Sequence, residues 1–360
     1  MVLETLLGER ATADEAIPRR GRVILLALGV LAVVAGPLVQ TFQPYLLNVL
    51  VPILIYALLI LSLDFVFGYC GLPSFAHAAM FGVGGYTAAM LLRGPTQNPI
   101  VVLVVAFVMA VIVAVIISAL SVRSTGLYFA FLTLAFTVMF QHIVNKDVPA
   151  QLLGMSQFTH GSNGIVGIPM FSAPFLDFSD QLTYYYVTLF VLVLVALFIV
   201  RLANSPFGTT MRGIRENEDR MCALGYNTTR YKVMAFSVTG GIAGIGGALY
   251  VPFQSLVSPT MLGWQLSGDL ILYSLIGGLG TLWGPVIATA GIQYLENSLN
   301  GIAWWQLVVG FIYVVVILLE PGGIAGLIDK TNGFRRRVRE EDFLTALSQV
   351  GQTVRDRFNP

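Results

Sequence analysis

The chain has 360 residues, of which only 11% are charged, with 20 basic against 19 acidic side chains and a formal net charge of +1. Soluble domains carry about 25% charged residues; here 56% of residues are apolar, 37 are glycine and the mean hydropathy is +0.79, which leaves no charged skin for a soluble fold of this size. Disorder and a disulfide scaffold are excluded as well, because Cys70 and Cys222 are the 2 cysteines and read as free thiols; the class that remains is an all-α, polytopic integral membrane protein.

Residues 1–21 mix acids and arginines without an apolar core, so they read as a cytoplasmic N-terminal segment. The first apolar stretch begins at Val23 and lacks a cleavage pattern, so it stays as an anchor. A span needs about 20 mostly apolar residues. Charge-free runs place about ten of them, over 22–40, 46–67, 73–92, 100–121, 126–145, 182–201, 233–254, 264–282, 284–300 and 302–319. The eighth and ninth are short and Gly-rich and read as full spans or as a re-entrant pair; either way the parity of the other loops holds.

Charge supports even parity. With the N-terminus in the cytoplasm, Arg10, Arg19, Arg20, Arg22, Arg123, Arg201, the basic residues of the loop 202–231 and those from Lys330 to Arg339 all fall inside, and Arg93 and Lys146 fall outside. Both termini are then cytoplasmic. The membrane domain is 22–320, with an outer loop 146–181 and an inner loop 202–231. The tail 321–360 carries the basic run Arg335–Arg337, then Phe343, Leu347, Val350, Val354 and Phe358 at helical spacing. It reads either as an interfacial amphipathic helix or as a topology determinant.

Catalytic signatures are missing. None of Lys146, Lys232 and Lys330 follows a glycine, so no P-loop cradles a phosphate, and no zinc helix or nucleophile elbow occurs. The 3 histidines, His77, His142 and His160, lie in different segments. Scattered ionisable groups point to a conduit rather than an enzyme, with no metal centre.

Glycine is the positive signal. Gly240, Gly244 and Ala248 repeat every fourth residue, a spacing that lets helices approach closely in lipid. Gly82, Gly84 and Gly85 form a second cluster. The run Gly277, Gly278, Gly280, Gly284, Pro285 breaks a helix at membrane depth. Such a break is tolerated only against protein or a water-filled cavity, and interrupted helices mark transport sites.

Asp64, Asp269 and Glu296 lie inside spans. Each either touches a polar solute along the path or cross-links and caps helices. Span two runs inward and span three starts there, so an Asp64–His77 hydrogen bond across that hairpin is expected. In the inner loop, Ser205–Gly208 turns, and Thr209 to Leu224 reads as one short charged helix stopped by Gly225. Arg215–Asp219 and Glu216–Arg220 have the spacing for ion pairs. A stiff polar helix between spans suits docking to a soluble partner, or is a solvated loop helix with none.

These stretches resemble the permease of branched-chain amino-acid ABC importers, specifically the LivM-type subunit. The matching segments are Gly68–Tyr86, Gly126–Thr137, Gly161–Gly167, Ser205–Lys232 and Gly277–Ala288, within about residues 45–325. Cys70, Pro73 and Cys222 depart from the common pattern. The resemblance implies a second, different permease subunit, two cytoplasmic ATPase subunits, an extracytoplasmic solute-binding protein and the plasma membrane of a prokaryote, with no nucleic acid and no cofactor. It implies that Arg212, Arg215, Glu216, Asn217, Glu218, Ala223, Leu224 and Gly225 couple to the ATPase. Asp64, His77, Gly277, Gly278, Gly280, Asp269 and Glu296 are then candidates for the translocation pathway, and Gly161, Ser162, Asn163 and Gly164 for contact with the binding protein. Within this class the solute is a branched-chain or other neutral amino acid, or else urea, a short amide or a sugar. An ion-coupled secondary transporter using Asp64 or Asp269 is the alternative class.

Overall fold

The computed structural model describes residues 19–124, 126–154, 157–174, 176–299, 304–319 and 323–326. The N-terminal segment before Arg19 and the tail with Arg335–Arg337 and Phe343–Phe358 lie outside the described residues.

Each charge-free run forms a helix. In chain order these are α1 (Arg19–Phe42), α2 (Leu47–Asp64), α3 (His77–Arg93), α4 (Pro99–Ser121), α5 (Leu127–Asn145), the short α6 (Val148–Leu153) and α7 (Gln181–Ala203). The loop helices α8 (Pro206–Glu216) and α9 (Glu218–Ala223) follow, then α10 (Thr228–Gln254), α11 (Trp264–Gly277), α12 (Trp283–Leu299) and α13 (Trp305–Leu319). Among the described residues, five helical stretches are long and apolar enough to cross a membrane: Leu47–Tyr69, Pro99–Ser121, Leu127–Asn145, Gln181–Ala203 and Thr228–Gln254. The protein is therefore an all-α membrane protein. At 1.5 Å per residue, α11 is only about 21 Å long, shorter than the hydrocarbon layer.

Local chemistry sets the boundaries. Asn98 caps α4, accepting from the Ile100 N–H at 3.0 Å, with Pro99 at the first helical position. Asp180 caps α7 through the Thr183 N–H at 3.1 Å. Ser205, Asn217 and Asn227 start α8, α9 and α10 in the same way.

The core is built around α2 and α10, which are mostly buried. α4, α5 and α7 turn large apolar side chains outward, among them Ile100, Phe131, Phe190 and Leu197, as a lipid-facing surface requires. The glycines of α10 let α3 and α4 approach backbone to backbone. A Cβ on Gly84 would stand 2.1 Å from the Gly244 carbonyl oxygen, and one on Gly247 only 1.8 Å from that of Phe81. The Gly240 series is thus a packing seam.

The connections sort to two ends. At one end, Ile165–Val166 pairs antiparallel with Leu256–Val257, Ser172 N–H donates to the Gln97 carbonyl at 2.9 Å, and Gln181 Nε2 donates to Asn48 at 2.8 Å. At the other end, Cys70, Gly126, Arg215 and Lys232 line one hollow of about 220 Å³.

Candidate functional site

Two interrupted helices meet at the second end. After α2 the chain enters a π-helix, Phe65–Tyr69, then runs irregularly to α3 at His77. The orphan donors at the start of α3 find side chains of other helices. Phe75 N–H donates to Thr133 Oγ1 at 3.2 Å and Ala78 N–H to Ser267 Oγ at 2.9 Å, and the Thr137 hydroxyl donates to the Phe75 carbonyl at 2.8 Å. These three polar residues escaped the sequence reading; hydroxyl side chains inside apolar spans were the only trace of them.

The second interruption separates α11 from α12, where Gly278 and Gly280 have φ of 101° and 76° and Leu282, fully buried, has φ 62°. Asp64 holds it. One carboxylate oxygen accepts from Gly280 N–H at 2.9 Å, the other from Leu282 N–H at 3.1 Å. The carboxylate thereby caps the start of α12 from another helix. The expected Asp64–His77 hydrogen bond does not form. His77 Nδ1 instead contacts Ser74 Oγ at 3.2 Å, its ring packs edge-on against Phe236, and Nε2 is buried without a partner. The free N–H groups of the break compete for Asp64 more strongly than one imidazole does, because they would otherwise be buried unsatisfied.

The two breaks touch. A Cβ on Gly68 would lie 2.4 Å from Gly280 Cα, and one on Gly277 would lie 2.2 Å from Pro285 N. Only glycine permits these approaches. Asp269 and Glu296 lie elsewhere, half-buried on α11 and α12. Glu296 accepts from the Tyr273 hydroxyl at 3.3 Å and from Gln293 Nε2 at 3.3 Å, and Asp269 is its electrostatic neighbour.

The inner loop differs from the single helix expected. Asn217 is extended (φ −159°, ψ 99°), ending α8 and capping α9 by accepting from Arg220 N–H at 2.8 Å. The break removes the helical register on which the Arg215–Asp219 and Glu216–Arg220 pairs depended. Arg215 Nη1 donates to the Gly68 carbonyl instead. Glu218 pairs with Lys232 at 2.6 Å. Arg212 Nε is buried with no hydrogen-bond partner. Gly225, with φ 88°, does stop α9: its N–H donates to Cys222 O at 2.9 Å, and the Tyr226 N–H donates to Met221 O at 3.1 Å, a Schellman closure. Glu216, Asn217, Ala223, Leu224 and Gly225 are exposed. α8 is seated on the bundle by stacked rings, Phe207 lying between Phe65 (6.5 Å) and Tyr231 (5.6 Å).

At the opposite end, Ser162 and Asn163 are exposed and Gly161 is half-buried. Gly164 is buried, with a Cβ position 2.2 Å from the Val257 carbonyl oxygen. Gly164 serves the pairing of Ile165–Val166, leaving Ser162 and Asn163 as the accessible part of that turn.

A helical membrane protein with two interrupted helices clasped together, and a charged helix pair strapped to them, belongs to the class of transport permeases. Residues 45–319 match the family described as the permease component of branched-chain amino acid transport systems, and the chain belongs to that family. It is 26% identical over 300 residues to the high-affinity branched-chain amino acid transport permease LivM of Salmonella typhimurium, covering 75% of this chain and 68% of that one. LivM of Escherichia coli matches at the same identity and coverage. LivH of Escherichia coli is 22% identical over 286 residues, covering 75% of this chain and 91% of its own. No solved structure matches. The resemblance to the LivM-type permease is borne out.

Proposed function

We propose that this chain is one of two different permease subunits of an ATP-driven importer in a prokaryotic plasma membrane, carrying branched-chain or other neutral amino acids inward. The LivM and LivH relatives, both high-affinity branched-chain amino acid transport permeases, support the solute class and the pairing of permeases. About ten helices would span the bilayer, with both termini and the α8–α9 loop in the cytoplasm, as the distribution of Arg and Lys favours. ATP would be hydrolysed on two partner subunits. An extracytoplasmic binding protein would deliver solute to the end that carries Ser162 and Asn163.

The observation that carries this reading is the contact between the charged loop helices and the helix breaks. Glu216, Asn217, Ala223, Leu224 and Gly225 are exposed, while Arg215, beside Glu216 on α8, holds the Gly68 carbonyl. Movement of a docked ATPase would reach the membrane interior by this route. Asp64 acts in the clasp, since both its oxygens are engaged by backbone donors. Asp269 and Glu296, with Tyr273 beside Glu296, and His77 through its unpartnered Nε2 remain the candidates for the solute path.

Glu216→Arg tests the reading. In vesicles carrying the whole complex, the variant should insert normally and lose most ATP-dependent leucine uptake. Uptake equal to wild type would contradict it. Competition by urea, amides or sugars in the same assay decides the solute class.

A further inference from the structure

Resting on the coupling reading above, we infer that Arg215 is a positioning residue that straps α8 to the π-turn after α2, so that α8 and the clasped helix breaks move as one body.

The strap begins with a carbonyl that has no backbone donor. In the π-turn, Leu72 N–H donates to Val66 O at 3.3 Å and Gly71 N–H to Phe67 O at 3.1 Å. In α-helical register the Gly68 carbonyl would take the Leu72 N–H, which is turned back to Val66, and in π register it would take that of residue 73, a proline with no N–H. The Gly68 carbonyl is met by Arg215 Nη1 instead. A buried carbonyl needs such a partner, and a guanidinium supplies one from a long, adaptable stem. That stem passes over Gly71, whose φ is 71° and whose Cβ position lies 3.0 Å from Arg215 Cγ.

Gly68 also joins the clasp. Its Cα face meets Gly280, and Gly280 N–H is held by Asp64, four residues before Gly68 on α2. Contacts therefore run without a gap from the loop helix through Arg215 and Gly68 to Gly280 and the start of α12. At its other end α8 is fixed by Phe207, stacked between Phe65 and Tyr231. Between these ends Met211 and Ile214 are buried and the Cys70 thiol meets Met211 Sδ at 3.1 Å, so the 11-residue helix is held along its length, and Arg215 adds the link from its C-terminal end to the clasp. Close-packed contacts of this kind transmit displacement because they are not continuously deformable.

The geometry offers a chemical replacement for the strap. An ideal Cβ on Gly71 lies 3.7 Å from Arg215 Cβ, within the roughly 3.5–4.5 Å that a disulfide needs. The test uses the complete importer in proteoliposomes, with cysteine-free partner subunits and Cys70→Ser and Cys222→Ser in this chain. It reads ATP-dependent leucine uptake and retention of the ATPase subunits on purification. Arg215→Met should keep the ATPase subunits bound and lose most uptake, and Arg215→Lys, which retains a donor, should recover part of it. The Gly71→Cys/Arg215→Cys pair should be inactive when reduced, regain uptake once the disulfide forms, and lose it again with dithiothreitol.

Wild-type uptake by Arg215→Met would overturn the inference. Release of the ATPase subunits by that variant would also do so, since Arg215 would then belong to the docking surface. So would a disulfide, verified by mass, that leaves uptake as low as in the reduced pair. Uptake by the unmutated complex that ignores ATP would overturn the coupling reading itself, and is measured before any variant.

Discussion

Asp64 answers two backbone donors that lie 216 and 218 residues away in the chain. Asp64→Asn keeps the shape but turns an amide NH₂ toward one of those N–H groups, and a buried donor left unsatisfied costs about 1–3 kcal/mol. The variant's thermal midpoint in detergent should fall; an unchanged midpoint would mean that Asp64 does not hold the break. Glycine positions separate in the same measurement. Gly247→Ala would press a methyl into the Phe81 carbonyl and should cost about 1–3 kcal/mol by overpacking. Gly291→Ala, with nothing within 4 Å of its Cβ position, should stabilise α12 by roughly 0.5–1 kcal/mol. Outside the membrane, Asp147 is held below the usual carboxylate range: slight burial raises its pKa, but the Thr159 and Phe158 N–H groups and the Thr159 hydroxyl outweigh it. Asp180 is lowered by the Thr183 hydroxyl and by the backbone at the start of α7. Groups lowered in the folded state contribute stability above their unfolded pKa and lose it as pH falls through the folded value. The turns at Asp147 and Asp180 should therefore loosen under acid, read as faster amide exchange of Thr159 and Thr183. Replacement of each Asp by Asn should remove that acid dependence.

At the scale of elements, the α8–α9 break depends on Asn217. Its side chain caps α9, and Asn217→Ala should cost about 1 kcal/mol of local stability. The loss should be visible as faster amide exchange at Arg220, whose N–H is left without its cap acceptor. The helices were legible because charge is too costly in lipid to be scattered, so the long apolar runs became helices. Gly225 and the Gly277–Pro285 break were legible because glycine at such positions has few other uses. The loop break was not, since Asn is tolerated both inside a helix and at its cap. The partner of Asp64 was missed for a different reason. Sequence proximity pointed to His77 in the next span, whereas the donors that need a carboxylate appear only once α11 and α12 are broken and brought back. The target of Arg215 was hidden in the π-register of Phe65–Tyr69 and in the missing N–H of Pro73, neither of which leaves a periodic signal.

For the whole molecule, the scarce charges gather at the two termini and in the loop 202–231, a distribution that suits the conduit proposed above, driven from outside its own chain. Close-packed glycine seams join α3, α4 and α10 into a rigid body, and the two breaks lie at the end where the charged loop is attached. The central claim is that ATP hydrolysis on partner subunits drives solute through this chain. It is tested most directly by labelled leucine uptake into proteoliposomes holding both permease subunits and the ATPases, with binding protein outside and ATP sealed within or omitted. The account predicts uptake that requires both ATP and binding protein and survives an uncoupler; uptake that proceeds without ATP and collapses with the uncoupler would contradict it.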